Sequence, residues 1–121
     1  MSDLQQVHIT NVDPAMQADF AWFCRRNGVT VSWMVGSLMY LAAIDGAIMQ
    51  QAVTLAPSRA AARKLSGHMV VHHVPRGTWQ SLRAQARRYG TPPQLLVKGL
   101  LSLFAEDSER LFNMMTWRGG A

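Results

Sequence analysis

The chain states one pattern twice. Residues 7–45 and 69–107 align without a gap at a constant offset of 62, and nine of the 39 positions are identical: Val12/Val74, Arg25/Arg87, Arg26/Arg88, Gly28/Gly90, Val35/Val97, Leu38/Leu100, Leu41/Leu103, Ala43/Ala105 and Asp45/Asp107. Ile9/Val71, Phe20/Leu82, Met34/Leu96 and Met39/Leu101 keep their character. An internal repeat constrains architecture before any local reading begins. A unit of about 40 residues rarely buries enough surface to fold alone, so each copy is expected to complete the other's core.

The 121 residues amount to one domain: repeat one at 7–45, a linker at 50–67, repeat two at 69–107 and a helical tail at 108–117. Hydrophobic residues make up 49% of the chain, which places it among globular proteins. Twelve Lys and Arg against seven Asp and Glu give a net charge of +5, a balance suited to a polyanionic partner. The single cysteine, Cys24, excludes an internal disulfide and fits a reducing cytoplasm. It lies in the apolar run 20–24 and reads as a small buried hydrophobe. No signal-peptide pattern opens the chain. The apolar run 29–44 is shorter than the roughly 20 residues a bilayer helix needs, and Thr30, Ser32 and Ser37 interrupt it. No membrane partner is expected.

Each repeat opens on a short β-branched or alternating stretch, Val7–Val12 and Met69–Val74, which reads as a strand. A helix start follows. Asp13 is a capping residue with Pro14 at the first helical position, and Pro75 takes the matching place in the second copy. Apolar residues at helical spacing predict a first helix over 14–27 and 76–89, with Met16, Phe20, Phe23 and Cys24, then Trp79, Leu82 and Ala86, on its inner face. Both helices end in an Arg pair, a further residue and glycine. Cations suit the negative helix end, and glycine accepts the left-handed closing residue.

A second helix is predicted over 31–44 and 92–106. Thr30 or Ser32 caps the first, and Thr91-Pro-Pro-Gln94 fits a capping box for the other. Its buried stripes are Met34, Leu38, Leu41 and Ala42, matched by Leu96, Leu100, Leu103 and Phe104. The unit is therefore strand, helix, glycine turn, helix. The Arg pairs Arg25/Arg26 and Arg87/Arg88 have two readings of equal weight, helix capping on a solvated face and contact with phosphate.

Catalytic patterns are missing. The chain has no glycine-rich phosphate loop, no paired carboxylates in an apolar setting and no interpretable Cys–His spacing, so no enzyme and no cofactor is expected. His68, His72 and His73, with only His8 elsewhere, fall short of a zinc ligand set, and the neighbours His72 and His73 point to opposite faces of a strand. No metal site is expected.

Val12-Asp13-Pro14, Val74-Pro75-Arg76, the Gly28 and Gly90 turns and the leucines of the second helix resemble the ribbon-helix-helix family of DNA-binding proteins. The resemblance covers nearly all of both repeats. With both halves on one chain it is similar to the fused members, among them the TraY-type relaxosome proteins of conjugation and the VirC-type overdrive-binding proteins of T-DNA transfer. It implies a mainly α fold with a two-stranded antiparallel ribbon: tandem ribbon-helix-helix repeats forming one intramolecular pseudo-dimer, a monomer in chain count. It further implies that the ribbon enters the major groove of double-stranded DNA, where each base pair shows a distinct pattern. Such a protein serves DNA processing, DNA transfer or transcription, alone or with other components of a DNA-processing complex.

The ribbon face turned to DNA has two readings. Counting back from Val12 and Val74 in the family pattern turns Asn11, Ile9 and Val7 outward, with His73, Val71 and Met69. Apolar logic turns Val7 and Ile9 inward and leaves His8, Thr10, Val70 and His72 outside. A β-bulge would reconcile them. The candidate base readers are Asn11, His73, Thr10, His72, Ile9 and Val71. The candidate phosphate contacts are Arg25, Arg26, Thr30, Ser32, Arg76, Arg87, Arg88 and Thr91, with helix N-termini supplying N–H donors. A protein–protein module of the same fold is the alternative, favoured by the sparse polar ribbon and by Trp22, Trp33 and Trp117 as exposed candidates.

Overall fold

The computed structural model describes residues 3–120, with side chains through residue 116. The fold is mainly helical with one two-stranded antiparallel sheet. The order is β1 (Leu4–Val12), α1 (Pro14–Arg26), α2 (Val31–Ile44), α3 (Gly46–Leu55), α4 (Arg59–Ala62), β2 (Gly67–Pro75), α5 (Arg76–Arg88), α6 (Pro93–Glu106) and α7 (Ser108–Gly120). The bounds of α5 and α6 are those of α1 and α2 advanced by 62 residues.

Local chemistry sets the boundaries. Asp13 Oδ1 accepts from the Ala15 N–H at 3.0 Å and starts α1, and Thr30 Oγ1 accepts from the Trp33 N–H at 3.0 Å and starts α2. Gly28 and Gly90 close the preceding helices at φ of 71° and 66°, a region that glycine enters without strain. Asp45 ends α2 and caps α3 through Oδ1, which accepts from the Ala47 and Ile48 N–H groups. That second cap is why residues 46–55 do not prolong α2. The flexible linker expected at 50–67 is thus corrected: α3 reaches residue 55, α4 follows, and only short irregular pieces remain.

β1 and β2 pair with Val7 opposite Val71, His8 opposite Val70 and Ile9 opposite Met69. Under the 62-residue offset this register maps onto itself about His8 and Val70. The pairing slips by one residue between Gln5 and Val7 and again between Thr10 and Val12. The extra residues are His73 on β2 and Asn11 on β1, and both have positive φ, 61° and 58°. Asn11 and His73 correspond at the same offset. Each bulge inserts one residue, so Val12 and Val74 rejoin Val7, Ile9, Met69 and Val71 on the inner face.

That inner face forms one core with the helices. Met34, Leu38, Leu41 and Ala42 of α2 are buried, as are Leu96, Leu100, Leu103 and Phe104 of α6. Phe104 receives Phe20 and Phe23 of α1 edge-on, with centroids 5.2 and 5.0 Å apart. α2 packs chiefly on β2 and α5, α6 chiefly on α3. Among the described residues no single helix is long and apolar enough to cross a membrane, and α1 and α2 bend by 101° at their junction.

Candidate nucleic-acid interface

The ribbon's outer face carries Gln6, His8 and Thr10 from β1, all exposed, and exposed His68 and His72 with half-buried Val70 from β2. Alternation from the buried Val7 and Ile9 puts them there. His8 Nδ1 stands 3.5 Å from His68 Nε2, and Gln6 Nε2 donates to His72 Nδ1 at 3.1 Å. Five side chains with hydrogen-bonding groups and no fixed charge therefore stand on one two-stranded surface.

Two helix starts tie this surface down. Ser32 Oγ, in the first turn of α2, accepts from the His72 N–H at 2.9 Å. Gln94, in the first turn of α6, accepts from the Thr10 N–H at 3.3 Å through Oε1 and donates from Nε2 to the His8 carbonyl. Ser32 and Gln94 correspond at the 62-residue offset, as do Thr10 and His72. Each of these strand N–H groups immediately precedes a bulge, where the ladder is interrupted, and a side chain from the other half's second helix takes it. The ribbon's outward orientation is thereby fixed to two helix N-termini. Gln17 adds a third tie, donating from Nε2 to the His68 carbonyl at 2.8 Å.

These contacts correct several expectations. Ile9 and Val71 are fully buried at 0% exposure and cannot read bases; inward apolar burial overrides the outward assignment. Asn11 and His73 sit on the bulges, Asn11 half-buried and His73 exposed, while Thr10 and His72 lie on the outer face. Ser32 spends its hydroxyl on β2, and the hydroxyl of Thr30 on its own helix cap. Thr91 makes no capping bond: α6 starts at Pro93 with Pro92 before it, and Gln94 turns to β1 instead of closing the expected box.

Arg25, Arg26, Arg87 and Arg88 are exposed in the last turns of α1 and α5. The Arg26 guanidinium lies 4.6 Å from the centre of the exposed Trp22 ring, a cation–π contact. Arg76 is exposed at the start of α5, and its backbone N–H donates to the Asp3 carbonyl at 2.8 Å. Gln6, His8 and His68 were missed as candidates. The alternation from Val7 and Ile9, continued outward, was the signal that finds them.

Burial pushes the Cys24 thiol up to about 11, the behaviour of a packed hydrophobe without a thiolate. Among the described residues no group of three or more His, Cys, Asp or Glu could hold a metal ion. Trp22 and Trp33 are exposed at 56% and 40%, and the side chain of Trp117 lies outside the described residues. No family model, curated protein or solved structure matches the chain.

Proposed function

We propose that the chain is a ribbon-helix-helix pseudo-dimer that lays its β1–β2 ribbon in the major groove of double-stranded DNA, as a non-enzymatic cytoplasmic factor in DNA processing, transfer or transcription. The observation that carries this reading is the outer ribbon face: Gln6, His8, Thr10, His68 and His72 together, opposite a fully apolar inner face. Amide, imidazole and hydroxyl groups are the chemistry that meets base edges in that groove. The two N-termini nearest the ribbon differ as phosphate clamps. α2 offers backbone N–H donors at its first turn, whereas Pro92 and Pro93 remove two from α6. The strands differ as well, so the preferred site is non-palindromic.

A net charge of +5 adds a salt-dependent attraction to any duplex. Fluorescence anisotropy with a labelled duplex at 50 and 200 mM salt tests the reading. Affinity is expected to fall by about tenfold or more as phosphate counterions compete. Replacing Arg25, Arg26, Arg87 and Arg88 with Ala should weaken binding to all sequences alike. No saturable binding at low salt would leave the protein-interaction reading, which the exposed Trp22 and Trp33 favour.

A further inference from the structure

The two strands carry all four histidines of the chain, His8 on β1 and His68, His72 and His73 on β2, and no Lys, Arg, Asp or Glu. All four are exposed. The fixed charge of the molecule therefore lies outside the ribbon, and the ribbon's own charge is set by imidazole protonation alone. Imidazole is the side chain that changes charge between about pH 5 and 8. A surface that is neutral at the top of that range becomes a cluster of cations at the bottom.

The histidines are also held against one another. His8 Nδ1 stands 3.5 Å from His68 Nε2, with ring centroids 5.5 Å apart. Two imidazolium charges at that separation repel, so the doubly charged pair is favoured by a polyanion laid over it. Gln6 Nε2 donates to His72 Nδ1, which puts the single proton of neutral His72 on Nε2. Protonation adds an N–H at Nδ1, and a half-turn of the exposed Gln6 amide presents Oε1 to it.

Four helices pack on the strands. The side chains that hydrogen-bond to them, Gln17 of α1, Ser32 of α2 and Gln94 of α6, are neutral. The charged residues are Asp19, Arg25 and Arg26 on α1, Arg76, Arg83, Arg87 and Arg88 on α5, and Lys98 and Glu106 on α6. α2 brings the phenol of Tyr40, and Asp3 and Asp13 flank β1. None of these pairs with a histidine: the one ion pair among the described residues is Arg110–Asp107.

We propose that DNA binding by this chain is proton-coupled: the ribbon takes up protons on His8, His68 and His72 as it enters the groove, and acidification tightens its grip. The proposal rests on the DNA reading and deepens it. The negative potential of a duplex favours the charged imidazolium over the neutral ring. Each charged ring carries N–H groups on both nitrogens, which match the guanine O6 and N7 acceptors of the major groove. Affinity gained in this way is present at low pH and is lost as pH rises past the point where the bound histidines release their protons.

Isothermal titration calorimetry of the full chain with a short B-form duplex near neutral pH, in two buffers of different ionisation enthalpy, counts the protons directly. Uptake of about one to two protons per complex is expected. Anisotropy at constant low salt should show affinity rising by about tenfold or more as pH falls from about 8 to 6. The triple variant His8→Gln, His68→Gln, His72→Gln should bind with almost no pH dependence, whereas replacing Arg25, Arg26, Arg87 and Arg88 with Ala should weaken binding and preserve that dependence. The proton count uses the unaltered chain, so it decides the matter even where the triple variant does not fold. Saturable binding without proton uptake would overturn the proposal and leave the DNA reading standing. An undiminished pH dependence in a folded triple variant would overturn it as well. No saturable binding at either end of the pH range would remove both.

Discussion

Asn11 and His73 set the outward face of the ribbon. Each holds a positive φ at a bulge, a conformation that costs most side chains about 1–2 kcal/mol and that Asn and His enter more readily than most. Asn11→Gly is therefore expected to leave the melting temperature unchanged or raise it. Asn11→Val, with a branched Cβ, should cost about 1–2 kcal/mol in chemical denaturation. Equal stability of the two variants would mean that the bulge imposes no strain. Lys98 is the charged residue among the buried ones of α6, and burial lowers its ammonium from 10.5. A lowered ammonium binds its proton less well in the folded state. The contribution of Lys98 to stability should therefore rise as pH climbs towards 10.5, against the opposite trend of the Cys24 thiol, which burial raises from 9.0 to about 11 and which disfavours the folded state above pH 9. Lys98→Met should remove that rise and increase the melting temperature at neutral pH by a few degrees, as a pH series of thermal melts would reveal.

At the scale of elements, the contact of α3 with α6 has the least tolerance. Gly99→Ala must displace the Ala52 backbone, and overpacking of this kind costs about 1–3 kcal/mol. The loss should be visible as a lower denaturation midpoint, and an unchanged midpoint would show that α3 can shift freely. Sequence made most elements legible, since Asp13-Pro14, the Arg-Arg-x-Gly closures and the 3.6-residue stripes each have one local physical cause. α3 was not legible, because its cap, Asp45, also ends α2 and looks like the tail of the same helix. Thr91-Pro-Pro-Gln94 misled for a related reason. Gln94 satisfies a strand N–H freed by a bulge 84 residues away in sequence, and no local pattern contains that demand. The outer ribbon set was within reach, but two frames of alternation competed and only the bulges at Asn11 and His73 reconcile them.

For the whole molecule, the two strands depend on each other: neither β1 nor β2 has another partner in the sheet. Ser32 on α2 and Gln94 on α6 each hold the strand of the other half, so the halves are interlocked beyond the sheet itself. One continuous outer surface results, and the proposed grip on DNA requires that surface to act as a unit. The direct test is a ¹⁵N and side-chain NMR titration of the full chain with a short B-form duplex at low salt. The account predicts that Gln6, His8, Thr10, His68 and His72 shift together and first, while the exposed Gln51 on α3 and Glu109 and Arg110 in the first turn of α7 stay still. Shifts centred away from the ribbon, with those five residues unmoved, would contradict it.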